Sequence, residues 1–164
     1  QKDQITLLKA VNLLKNKINF KLLIIGKGYE EKNLKNYAKI NLLDKFVKIK
    51  DFLDNPYAII KQSDILILSS KYEGLPNVLL EALVLNKFVI SSNCPTGPKE
   101  ILLNGKGGLL FATGNYKDLS NKILYYLKNK SKSKKMLNRA RKNLDRFNYN
   151  LNLNKYYYLV KSKI

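Results

Sequence analysis

The chain has 164 residues, 45% of them hydrophobic, which is enough to bury one core and is most economically read as a single domain. No stretch approaches the ~20 consecutive apolar residues of a membrane-spanning helix, and one cysteine, Cys94, with no histidine excludes an internal disulfide and a transition-metal ligand set. Lysine and arginine total 31 against 12 acidic residues, a formal net charge of +19, a balance that suits an anionic membrane surface or nucleic acid.

Only three of the basic residues are arginines, while Lys, Asn, Ile and Tyr abound. A codon bias toward A and T is the simplest source of the charge, a membrane-surface contribution comes second, and nucleic acid, which leans on arginine for base and phosphate contacts, ranks last.

The start, QKDQITLLKAV, has neither an initiator methionine nor the pattern of a signal peptide, and is expected to belong to a longer protein. DQITLLKAVNLLK sets Ile5, Leu8, Val11 and Leu14 at three-residue spacing, predicting an amphipathic helix that begins at Asp3. FKLLIIG is a buried strand, YEEKNLKNYAKIN a helix, and KFVKI a short strand. NPYAIIKQS is a Pro-opened helix, DILILSS a strand, LPNVLLEALVLN a helix and KFVISS another strand. GGLLFA is a last strand, and the chain from NYKDLSNKILYYLKN onward reads as two or three surface helices, with KNKSKSKKMLNRARKN as a solvated face.

Strands separated by single helices imply right-handed parallel crossovers, hence an α/β fold: a doubly wound, Rossmann-like open parallel sheet with a helical C-terminus. Such a sheet ordinarily starts with a strand before its first helix. Its absence here supports an upstream partner half.

Ligands of these sheets sit beyond the carboxyl ends of the strands, which selects three loops. IIGKGYE carries Gly26 and Gly28 without the third glycine of a dinucleotide fingerprint, and a tight turn accounts for it. SSNCPTGPKE, with Pro95, Gly97 and Pro98, is a turn from which Lys99 and Glu100 open the next segment. LSSKYEGLPN carries more. Gly74 permits close backbone approach, and Pro76 suits the first helical turn, so the helix should begin near Leu75 to Asn77 with free N–H groups facing the strand ends, a ready phosphate site. Glu73 precedes that helix. Glu81 lies eight positions later among Val78, Leu79, Leu80, Ala82, Leu83, Val84 and Leu85, where a partly buried carboxylate would need donors such as sugar hydroxyls. On spacing alone, Glu81 is equally well a surface residue and Glu73 a loop charge favoured near a helix N-terminus.

The stretch SSKYEGLPNVLLEAL resembles the signature of the retaining family-4 glycosyltransferases, two glutamates separated by seven residues after a strand ending in Ser. QKDQITLLKA, LLIIGKGYEEKNLKNYA, KFVKIKDFLDNPYAIIKQSDILILSS, FVISSNCPTGPKEIL and GKGGLLFATGNYKDLSNKI follow in the family's order and spacing, covering roughly residues 1–128. The NPYAIIKQSD and NCPTGPKEIL versions look most like enzymes that assemble bacterial surface polysaccharides or lipid-linked oligosaccharides.

The resemblance implies a two-domain GT-B enzyme of which residues 1–164 form the C-terminal, donor-binding half, its acceptor-binding N-terminal domain lying outside this chain. It implies that Glu81 binds ribose hydroxyls and that Glu73 contacts the transferred sugar and stabilises the reacting centre. Backbone amides at Leu75, Asn77 and Val78, next to Gly74, would hold the diphosphate. Pro76 cannot donate, a departure from members with glycine there. Lys2 would neutralise the diphosphate together with an arginine preceding Gln1. Asp51, Phe52 and Leu53 would border the base, with Asp51 where the family usually has glycine.

The implied reaction is metal-independent, configuration-retaining transfer from a nucleoside-diphosphate sugar, a UDP-sugar in the first instance, to an acceptor hydroxyl, with no cofactor. The implied location is cytoplasmic, peripheral on the inner face of the cell membrane beside a lipid-linked acceptor, and no nucleic-acid partner is expected. The isolated fragment is expected to transfer nothing. Two alternatives stay open: half of a nucleotide-sugar epimerase, against which the absence of histidine and the glutamate spacing count, and a non-catalytic basic α/β binding module.

Overall fold

The computed structural model describes residues 1–162. Five short parallel strands alternate with helices: α1 (Gln4–Asn12), β1 (Leu22–Ile25), α2 (Glu31–Ile40), β2 (Val47–Lys50), α3 (Tyr57–Gln62), β3 (Ile65–Leu68), α4 (Asn77–Val84), β4 (Phe88–Ser92), α5 (Pro98–Ile101) and β5 (Leu109–Phe111). The chain then runs through α6 (Tyr116–Lys128), α7 (Lys130–Arg141), a 3₁₀ turn (Leu144–Phe147) and α8 (Tyr149–Lys161). The order is the alternation read from the sequence, and the fold is the expected Rossmann-like α/β fold of parallel strands with a helical C-terminus.

Hydrogen bonding divides the sheet into two ladders. β1 pairs with β2, Leu22 opposite Val47, and β4 sits between β3 and β5, with Ile65 opposite Phe88 and Ile90 opposite Leu109. α1 joins them: it packs against α2 on the side of the first ladder and against α6 on the side of the second. Leu8 and Leu14 are fully enclosed there, each such leucine contributing about 1.5–3 kcal/mol of burial. One core cluster therefore holds Ile24 and Val47 together with Leu68, Phe88, Val89 and Ile90.

All five residues of β4 are buried although their side chains alternate between faces, so both faces of the central strand are covered. α4 and α7 pack on it, as does α6, whose Tyr126 stacks on Phe88 at 5.0 Å between ring centroids.

Two local details differ from the sequence reading. Asp3 marks the start of α1, but its carboxylate accepts from the Thr6 hydroxyl at 2.8 Å and caps no backbone N–H. The lysine-rich run KNKSKSKKMLNRARKN is more than a solvated face: α7 turns Ser133, Leu137 and Ala140 inward. Two of those three are small, so the period is hard to see in an apolar pattern.

Candidate functional site

The β3–α4 loop begins with two serines that are buried at the strand end, Ser69 and Ser70. Each is satisfied. Ser69 donates its hydroxyl to the Lys2 carbonyl at 2.8 Å, and Ser70 donates to Glu73 Oε1 at 2.6 Å. The neighbouring strand also ends in two buried serines, and the Ser92 hydroxyl donates to the Ser70 carbonyl at 2.6 Å.

The N-terminal residues are tied to the same loop. Lys71 N–H donates to the Gln1 carbonyl at 2.8 Å, and the Gln1 amide reaches the Tyr72 carbonyl at 3.3 Å. This brings Lys2 onto Glu73 across 71 residues of sequence, with Nζ 2.8 Å from Oε1. The Glu73 side chain is only 8% exposed whereas that of Lys2 is 54% exposed, so the carboxylate lies inside the loop and the ammonium approaches from solvent. A largely enclosed carboxylate of this kind requires charged or hydroxyl donors.

The β4–α5 loop closes the third side. The Thr96 hydroxyl donates to the Glu73 carbonyl. Gly97 has φ +82°, and a Cβ there would stand 2.3 Å from the Gly74 carbonyl oxygen and 2.4 Å from Pro76 Cδ. The glycine that the backbone demands is thus Gly97, whereas at Gly74 a Cβ would meet open space. Gly97→Ala is expected to cost about 1–3 kcal/mol through the left-handed conformation and the clash together, lowering the midpoint of thermal unfolding. An unchanged midpoint would show that the two loops separate freely.

Pro76 occupies the N-cap position of α4, and among the described residues no side chain caps the helix start. The Leu79 N–H donates to the Pro76 carbonyl at 3.0 Å, and the N–H groups of Asn77 and Val78 precede it, among those a helix start leaves without intrahelical partners. Downstream, α4 buries Leu79, Ala82 and Leu83 but leaves Val84 64% exposed, so it is enclosed on one side and not all round. Glu81 is half-buried at the edge of that face and makes no ion pair among the described residues.

Asp51 and Leu53, directly after β2, line an open hollow of about 370 Å³ with Glu31, Lys35, Ile49 and Lys50. Phe52 between them is exposed. The Lys35 ammonium at 2.5 Å holds the Glu31 carboxyl below its ordinary value, and the carboxylate raises the lysine in turn.

The structure thus brings Lys2, Glu73, Gly74, Leu75 and the start of α4 together beyond the end of β3. Ser70, Ser92 and Thr96 were not singled out by the sequence reading. The signal available for two of them was a pair of strands each ending in Ser-Ser.

The family model described as "Glycosyl transferases group 1" matches residues 1–143. The chain belongs to this family. An uncharacterized glycosyltransferase of Methanocaldococcus jannaschii is 40% identical over 104 residues, covering 62% of this chain and 25% of its own length. A Campylobacter jejuni α-1,4-N-acetyl-D-galactosaminyltransferase, named for an undecaprenol-diphosphate-linked saccharide, is 29% identical over 142 residues, covering 85% and 39%. Among solved structures, the Anabaena protein HepE in complex with UDP superposes with a TM-score of 0.86 at 20% identity, covering 99% of this glycosyltransferase-family chain and 46% of HepE. The chain therefore spans 25% and 39% of the length of these two curated relatives. Among the described residues no helix is long and apolar enough to cross a membrane.

Proposed function

We propose that residues 1–164 are the donor-binding domain of a retaining glycosyltransferase that takes a UDP-sugar, and that an N-terminal acceptor domain completes the enzyme. The observation that carries this reading is the convergence of Lys2, Glu73 and the uncapped start of α4 at one strand end. Lys2 and the amides of Leu75, Asn77 and Val78 supply positive charge and donors for a diphosphate, with open space beside Gly74 to admit it. Glu73 contacts hydroxyls of the transferred sugar, Glu81 binds the ribose, and Asp51, Phe52 and Leu53 border the base. HepE, a fold relative, binds UDP, which favours uracil among the bases.

Departure of the UDP leaving group builds negative charge on the diphosphate. Lys2, the helix-start amides and an arginine expected upstream of Gln1 offset it, so no metal is required and EDTA is expected to leave transfer unchanged. The anomeric carbon becomes oxocarbenium-like, and the acceptor hydroxyl attacks from the same face. The name of the Campylobacter relative supports a lipid-linked oligosaccharide or surface polysaccharide as acceptor. A lipid-linked acceptor and the net charge of +19 support a cytoplasmic enzyme resting on the inner membrane face. Failure of the complete enzyme to bind anionic vesicles would remove that part of the proposal.

Titration of this chain with UDP and with short oligonucleotides tests the reading. Saturable, salt-tolerant UDP binding is expected. Oligonucleotide binding that falls steeply with salt, without UDP binding, would instead identify a basic binding module. Because the acceptor site lies in the other domain, this chain alone is expected to transfer no sugar, and turnover by it would overturn that division of labour.

A further inference from the structure

Within the donor-binding reading, on which this inference rests, we propose that Ser70 is a positioning residue that fixes the direction in which the Glu73 carboxylate presents its free oxygen to the sugar. Ser70 is fully buried, and its hydroxyl donates to Glu73 Oε1 at 2.6 Å. Lys2 Nζ donates to the same oxygen at 2.8 Å. Oε1 therefore accepts from two donors, one neutral and buried, one charged and on a solvent-exposed side chain. Oε2 takes no protein donor among the described residues, and it is not one of the fully buried polar atoms left without a partner, so it keeps some access to solvent.

The arrangement removes rotational freedom that a glutamate in a loop otherwise keeps. A carboxylate whose first oxygen is held in two directions presents the second in one direction, and a ligand that meets it loses no side-chain entropy in ordering it. The Ser70 end is itself anchored: the fully buried Ser92 donates from β4 to the Ser70 carbonyl at 2.6 Å, fixing the backbone from which the hydroxyl projects. The Lys2 end is not equivalent. Its side chain is 54% exposed and is also the one assigned to the diphosphate, so it is free to shift toward phosphate when the donor enters. Ser70 is then the donor that still holds Oε1. It acts through Glu73 and has no contact of its own with the sugar.

Calorimetric titration of this chain with UDP, UDP-glucose, UDP-galactose, UDP-N-acetylglucosamine and UDP-N-acetylgalactosamine tests this. Ser70→Ala is expected to weaken the best-bound UDP-sugar about 5–10-fold, the scale of one lost hydrogen bond, while UDP affinity stays within about 2-fold. In a Glu73→Ala background, Ser70→Ala is expected to have no further effect on UDP-sugar affinity, because the group it positions is gone. Equal weakening of UDP and UDP-sugar, or additive losses in the double variant, overturns the positioning role while leaving donor binding intact. A wild-type chain that binds neither UDP nor any of the four sugars overturns the donor-binding reading and this inference with it.

Discussion

Glu73→Gln in the complete enzyme is expected to reduce turnover about 10²–10³-fold, the size of effect seen when a group aimed at developing charge is removed from a water-excluded site. Glutamine keeps the shape and an oxygen able to accept from Ser70, so the loop should hold. On the proposed mechanism, what is lost is the negative charge beside a carbon that becomes positive in the transition state. The same change frees Lys2 from its ion pair, and a lysine without a carboxylate partner is more available to a diphosphate. UDP affinity is therefore expected to hold or rise while kcat falls, a split that mere damage to the loop would not produce. Steady-state kinetics together with UDP titration on the variant decide it. Turnover within about 3-fold of the parent, or UDP binding lost along with kcat, would assign Glu73 to loop structure alone.

The alternation of strands and helices could be read because each element carries its own local signal. LLII and ILIL are short apolar runs, and Leu8, Val11 and Leu14 recur at a helical period. The two-ladder division could not be read, since strand pairing depends on contacts between segments far apart in sequence. α7 was half legible: its lysines stand out, while two of its three buried residues, Ser133 and Ala140, are small, and smallness is not an apolar signal.

The site shows the same split. Glu73, Gly74 and the start of α4 lie within a few residues of each other, so the motif announced them together. The pairing of Lys2 with Glu73 was foreseen only as two residues serving one ligand; that they bind each other follows from Ser69, Lys71 and Tyr72 tying residues 1 and 2 to the loop. The glycine constraint was expected at Gly74 and falls at Gly97, because it arises from the approach of a second loop, information absent from either segment alone.

Glu81→Ala is expected to weaken UDP binding about 10–100-fold, the range for one charge-assisted hydrogen-bonding group at roughly 1.5–3 kcal/mol. The physical interest lies in what should not change. Glu81 is half-buried and has no ion-pair partner among the described residues, so its removal orphans no cation, relieves a partly desolvated carboxylate, and introduces the strongest helix former into α4. The unfolding midpoint is therefore expected to stay level or rise. A half-buried carboxylate without an ion-pair partner among the described residues is understandable if a ligand supplies the donors, and ribose hydroxyls can be tested by their absence. The parent chain is expected to prefer UDP over 2′-deoxy-UDP, and Glu81→Ala to bind the two alike. A variant with a lowered midpoint, unchanged UDP affinity and an intact preference for the ribose would show that Glu81 serves the fold and that the nucleotide is held elsewhere.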